Sequence, residues 1–122
     1  TRVGRQGFFF PPTLLVDVPP DALLLREEPF GPLLPLIPFK SEQEAIDRAN
    51  GTRYGLTASI WSQDVQRACA LASKLDVGTV SINSHRGGAP GSPWGGAKES
   101  GVGRMKTKEG LRDFTNVKLV RV

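Results

Sequence analysis

Short apolar runs alternate along this chain with stretches in which apolar residues recur every three or four positions, a pattern that predicts strands separated by helices. Thr13-Leu14-Leu15-Val16 is apolar and partly β-branched, as in a buried strand, and is closed by Asp17 and the Pro19-Pro20 breaker. Residues 33–39 are also extended, but Pro35 and Pro38 lack the N–H a ladder needs, so an edge or irregular strand is predicted. Ser41 and Glu44 have capping-box spacing: the Ser41 hydroxyl accepts from the Glu44 amide while Glu44 reaches back to the amide of Ser41. The helix they open is predicted to reach Asn50, where Asn50-Gly51 supplies a left-handed stop. Ala45, Ile46 and Ala49 share its apolar face, opposite Glu42, Asp47 and Arg48.

Residues 56–61 read as the next strand. From Asp64 to Leu75, helical spacing places Val65, Ala68, Leu71, Ala72 and Leu75 on one face, with Asp64 at the positive end of the dipole and Lys74 near the other. Gly78 ends the following turn, and residues 79–82 form another strand. Residues 83–104 then make a loop carrying Gly87, Gly88, Gly91, Gly95, Gly96, Gly101 and Gly103, too long for a passive connector and therefore a candidate functional segment. A short helix at 108–114 and a final strand at 117–122 complete the chain. That strand, terminal and mixed-faced, suits pairing with another subunit's edge. The order of elements implies an α/β layer architecture.

Composition narrows the picture. With 122 residues and 39% hydrophobic content the chain has the size of one domain and a modest core. The polar residues 1–7 run straight into Phe8-Phe9-Phe10-Pro11-Pro12, so the chain is expected to begin mid-domain, as a portion of a longer protein. No apolar stretch has bilayer-spanning length and no signal-peptide order is present, so a cytoplasmic protein without membrane partners is expected. One cysteine, Cys69, and one histidine, His85, give neither an internal disulfide nor a zinc spacing. The formal charge of +4 is spread among acids, as at Glu42, Glu44, Asp47 and Arg48, which argues against a nucleic-acid face.

Four sets of residues carry a resemblance: Glu27-Glu28-Pro29-Phe30-Gly31-Pro32; Ala49-Asn50 with Tyr54-Gly55-Leu56-Thr57-Ala58; Gly78-Thr79-Val80 with Ile82-Asn83; and Pro93-Trp94-Gly95-Gly96 through Arg104. In order and spacing they resemble the aldehyde dehydrogenase superfamily, from about residue 7 to 120. The resemblance implies residues 1–115 as the C-terminal part of that family's three-layer catalytic domain, a mostly parallel sheet flanked by helices. Residues 116–122 correspond to its terminal oligomerisation strand, implying a homo-oligomer. In such enzymes a cysteine thiolate attacks the aldehyde, the thiohemiacetal gives hydride to NAD(P)+, and a glutamate-activated water releases the acid. Those two catalytic residues, the oxyanion asparagine and the dinucleotide-binding domain are expected upstream of Thr1, in the remainder of the same enzyme. No residue here is assigned to the chemical step, and the chain alone is expected to be inactive. The other reading is a free-standing, noncatalytic oligomerisation or interaction module derived from the family.

By resemblance Glu28 accepts hydrogen bonds from the vicinal hydroxyls of the nicotinamide ribose of NAD or NADP, two carboxylate oxygens matching a diol; the alternative is a surface turn charge. Phe30 walls the nicotinamide end of that pocket or anchors the core. Trp94 lines the passage of the aldehyde substrate. Gly95 and Gly96 let backbone approach a ligand or take positive φ, while Lys98 and Ser100 fix the loop. Glu28 and Trp94 are thus expected to share a cleft that another segment completes. Asn83 follows a strand, where α/β sites commonly emerge, or caps its own loop. Cys69, mid-helix between Ala68 and Ala70, is read as a packing residue and not a nucleophile, and His85 as a solvent-facing loop residue. After Arg104 the chain departs from the family, with Met105-Lys106-Thr107 where many members have an acidic residue and a glycine. No carboxylate relay to the general base is therefore assigned to this segment.

Overall fold

The computed structural model describes residue 4 and residues 6–86 and 88–122. Gly87 of the glycine loop and most of the polar opening fall outside the described residues. The architecture is α/β, with two parallel ladders and one antiparallel ladder among the described residues. Two compact units, Thr1–Ala45 and Ile46–Val122, divide the chain.

In the first unit β1 (Thr13–Leu15) pairs in parallel with β2 (Leu33–Pro35), Thr13 opposite Leu33 and Leu15 opposite Pro35. Parallel neighbours require a long crossover, and residues 16–32 supply it, folded around a 3-10 turn at Leu23–Leu25 that periodicity did not signal. The ladder's last bond runs from the Leu36 N–H to the Leu15 carbonyl at 2.8 Å, and Pro35, whose nitrogen lies on the edge away from β1, costs the pairing nothing. β1 was expected to be buried. It is half-covered, because only the Thr13 and Leu15 face packs while Leu14 remains 64% exposed.

Helix α1 (Glu42–Asn50) begins with half of the expected capping box: the Glu44 N–H donates to the Ser41 hydroxyl at 3.2 Å, but the Glu44 carboxylate accepts from the amide of Lys40 at 2.7 Å, one residue before the expected Ser41. Its end differs from expectation. Neither Asn50 nor Gly51 has a positive φ. The Asn50 amide is committed elsewhere, donating to the Lys74 carbonyl at 2.8 Å and accepting from the Asp76 N–H at 2.9 Å. The Lys98 ammonium closes the helix end instead, donating to the carbonyls of Asn50 and Thr52 at 2.7 and 3.0 Å. Of the predicted apolar face Ile46 is buried, whereas Ala49 is exposed.

The second unit is organised by one extended run that changes partner halfway. β3 (Tyr54–Gly55) pairs antiparallel with β6 (Ala97–Lys98), and β4 (Thr57–Ile60) pairs in parallel with β5 (Thr79–Ile82). The strand expected at 56–61 is β4 at 57–60, and β3, which periodicity did not signal, precedes it across a break at Leu56, where the run changes neighbour. Helix α2 (Val65–Ala72) connects β4 to β5 and packs on β5. Its N-cap is Asp64, whose carboxylate accepts from the Arg67 N–H at 2.9 Å. Residues 73–75 continue it as turns, which accounts for the longer predicted helix. Ala68 is fully buried. Cys69, the next residue, points to the exposed side, which corrects its reading as a packing residue.

The glycine loop is more regular than expected, since β6 lies within it and a bridge joins Trp94 to Met105. A short helix, α3 (Lys108–Arg112), is capped by the Thr107 hydroxyl. Residues 117–122 form no strand among the described residues: their side chains are exposed and no edge of this chain completes a ladder with them. No helix among the described residues is long and apolar enough to cross a membrane.

Ala68→Leu is expected to cost about 1–3 kcal/mol by overpacking, while Cys69→Ser, one position on, stays within about 0.5 kcal/mol; denaturant midpoints of the two variants distinguish the buried from the exposed face.

Candidate functional site

The segment from Pro29 to Pro32 folds as two consecutive three-residue turns, with the Gly31 N–H donating to the Pro29 carbonyl at 2.7 Å and the Leu33 N–H to the Gly31 carbonyl at 2.8 Å. The turns centre on Phe30 and Pro32, holding the Phe30 ring outward at 98% exposure. Within this chain Phe30 is therefore no core anchor. Glu28 is exposed just ahead of it, and its carboxylate makes no hydrogen bond with the described residues. Both of its oxygens are available to a diol.

In the second unit the parallel β4–β5 pair ends at Ile60 and Ile82, and the loops leaving those carboxyl ends are tied together. The Asn83 amide accepts from the Ser62 N–H and donates to the Ser62 carbonyl, both at 2.9 Å, with Asn83 itself at φ 52°. Asn83 is thus a clamp on the neighbouring loop, which corrects the reading that it caps its own. His85 lies against Trp61, ring centroids 5.2 Å apart, with Nδ1 3.3 Å from the Ser59 hydroxyl. It is exposed in the loop after β5, as expected, and also touches Trp61 and Ser59 at the sheet end.

The Pro-Trp-Gly-Gly turn owes its path to close backbone approach. A Cβ on Gly78 would overlap the Gly95 carbonyl, and one on Gly96 would lie 2.6 Å from the Ser100 carbonyl. Neither Gly95 nor Gly96 has a positive φ, so packing against Gly78, Ser100 and Gly103, and not an unusual conformation, explains the pair. Ser100 accepts from the Gly55 N–H at 2.9 Å, and Lys98 holds the end of α1, so both fix the loop as expected. The Arg104 guanidinium donates to the carbonyls of Gly96 and Gly103, each at 2.8 Å. Trp94 is half-buried, bridged to Met105 by backbone bonds of 3.0 and 2.7 Å. The Lys106 ammonium sits over its ring, 5.0 Å from the centroid.

An open cavity of about 990 Å³ lies beside this turn, walled by Pro93, Met105, Lys106, Gly110, Leu111 and Phe114; Trp94 itself does not line it. Sequence reasoning missed the roles of Arg104 and Lys106. A motif names residues but not the carbonyls or rings they turn toward, and the Trp94–Met105 bridge that brings Lys106 near has no periodic signature. Among the described residues no cluster of histidine, cysteine or carboxylates could hold a metal ion. Glu28 and Phe30 belong to the first unit and Trp94 to the second, and each is described within its own unit.

The aldehyde dehydrogenase family model matches residues 1–120. The chain is 42% identical over 116 residues to betaine aldehyde dehydrogenase of Bacillus subtilis (strain 168), covering 95% of this chain and 24% of that protein. It is 43% identical over 114 residues to the succinate-semialdehyde dehydrogenase [NADP(+)] of Escherichia coli (strain K12), covering 93% of this chain and 24% of that one. Among solved structures, the NAD+ complex of an aldehyde dehydrogenase from Bacillus cereus superposes with a TM-score of 0.88 at 40% identity, over 96% of this chain and 24% of that one. The chain thus spans roughly a quarter of the length of the relatives it matches.

Gly78→Ala is expected to push the Gly95-Gly96 segment off its track, because the obstacle is backbone and not a side chain that can swing away; faster amide hydrogen exchange at residues 95–100, with the α2 amides unchanged, is the readout.

Proposed function

Because this chain belongs to the aldehyde dehydrogenase family, we propose that it is the C-terminal portion of the catalytic domain of an NAD(P)-dependent enzyme that oxidises an aldehyde to a carboxylic acid. The observation that carries this reading is the family match over residues 1–120, joined to a free carboxylate and an outward aromatic ring on one proline-bounded turn.

The nucleophilic cysteine and the glutamate base come from polypeptide other than these residues. Cys69 supports this by its place: it is exposed in the middle of α2, away from the helix N-terminus, with no histidine beside it. The residues present fit the dinucleotide. Glu28 has both carboxylate oxygens available, and as an acceptor-only group it matches the two donors of a ribose diol. Phe30 offers its ring as the wall beside the nicotinamide. When bound, the nicotinamide supplies the hydride acceptor. Glu28 binds and orients the ribose, Phe30 shields the adjoining space from water, and Trp94 lines the passage by which the aldehyde enters. Arg104, Lys98 and Ser100 hold the Trp94 turn rigid, so the aldehyde is met by a fixed wall.

Residues 117–122 extend with exposed apolar side chains and are proposed to complete a ladder on another subunit, giving a homo-oligomer.

In the complete enzyme Glu28→Gln is expected to raise KM for the dinucleotide about tenfold, since a charge-assisted acceptor is lost, with little change in KM for the aldehyde; steady-state kinetics with unchanged dinucleotide KM and turnover would remove Glu28 from the site. Cys69→Ser is expected to leave turnover and covalent labelling by an aldehyde-site thiol reagent intact, and loss of both would restore Cys69 as the nucleophile.

A further inference from the structure

The feature that family membership leaves unexplained is the cation on Trp94. Lys106 follows the Met105 that bridges to Trp94, has φ 64°, and sets its ammonium 5.0 Å from the indole centroid. No carboxylate pairs with that ammonium among the described residues. Arg104, two residues earlier, is bound to the carbonyls of Gly96 and Gly103. Lys106 is therefore the cation set on the half-buried indole, while Arg104 is engaged on the backbone of the same turn.

We propose that Lys106 is a specificity-determining residue that turns the Trp94 passage against aldehydes bearing a fixed positive charge and toward aldehydes bearing a carboxylate. The inference rests on the reading of Trp94 as a wall of the aldehyde passage. A bare indole face carries negative potential and attracts an ammonium group, quaternary ammonium included. Here that face is already occupied by the chain's own cation, so an arriving ammonium meets like charge where it would otherwise find an attractive surface. A carboxylate meets an unpaired ammonium that the indole holds in place. The selectivity is a matter of charge and not of size, so a neutral aldehyde of equal length is indifferent to it.

The test compares three aldehydes of similar length, ending in a carboxylate, a trimethylammonium and a methyl group, with the complete enzyme. Lys106→Met is expected to lower kcat/KM for the carboxylate substrate and raise it for the trimethylammonium substrate, each about threefold, leaving the methyl substrate unchanged. Lys106→Arg keeps the original ratio. In the unsubstituted enzyme, raising the salt concentration compresses the carboxylate-to-trimethylammonium ratio, a readout that requires no variant to fold. An unchanged ratio in Lys106→Met, or an equal fall for all three substrates, overturns the inference, the latter making Lys106 a mere brace of the turn. Trp94→Ala separates the two readings: a changed KM for the methyl substrate with no Lys106 effect on the ratio sinks only the charge selectivity. An unaltered KM for all three sinks the passage reading and the inference with it.

Discussion

Where Gly78 meets Gly95, backbone lies on backbone with no space for a side chain, and the course of the long loop after β5 depends on that contact. The Gly78 N–H donates to the Gly55 carbonyl at 3.0 Å, so the point of closest approach is also hydrogen-bonded to the strand that β6 joins. Gly55 is itself buried, and a Cβ there would come within 2.5 Å of the Asp76 carbonyl. A seam of glycines thus lets three strands of backbone converge before β4 and β5 begin. Trp94 can be presented at a defined place only because the residues after it are trapped in this seam.

Cations complete what the glycines allow. Lys98 binds the last carbonyl of α1 and that of Thr52 beyond it, Arg104 bridges two carbonyls across the Trp94 turn, and Arg26 donates to the Asp21 carbonyl at 2.9 Å. Part of the formal +4 is thereby engaged on backbone oxygens that loops would otherwise leave to water. The basic character reads as internal bracing of irregular chain, in keeping with the absence of a basic stripe in the sequence. Lys106 and Arg53 are set on rings instead, those of Trp94 and Tyr54.

The elements that local chemistry dictates were legible in the sequence. The apolar spacing from Asp64 to Leu75 identifies α2, three residues longer than the helix proper at its C-terminal end, and the run 79–82 identifies β5 to its ends. Pro35 and Pro38 marked 33–39 as an edge or irregular strand, and only Leu33–Pro35 of that run pairs. What was not legible depends on partners distant in sequence. Asn50 looked like a local helix stop, but its amide serves Lys74 and Asp76. The break at Leu56 exists because two different neighbours claim one run, and β6 exists because Tyr54 and Gly55 lie beside it. At the site, a single Glu-Glu pair or a single double glycine carries little meaning, and only the ordered set of motifs pointed to Glu28, Phe30 and Trp94. The placement of Lys106 needed coordinates, because twelve residues and a backbone bridge separate it from its ring.

The clamp at Asn50 also bears on chemical ageing. An asparagine followed by glycine is the sequence most open to succinimide formation, in which the following amide nitrogen attacks the side-chain carbonyl carbon and ammonia leaves; asparagine is accordingly among the heat-labile residues. Here the Gly51 N–H is engaged with the Arg48 carbonyl at 3.2 Å, and the Asn50 side chain is held at both its oxygen and its nitrogen. The attacking and the attacked atoms are each restrained in other bonds, so the folded chain shields this dipeptide from a loss of ammonia that the unfolded chain would undergo freely. An aspartate formed there would set an oxygen against the Lys74 carbonyl, so a molecule once damaged would hold the same fold less stably.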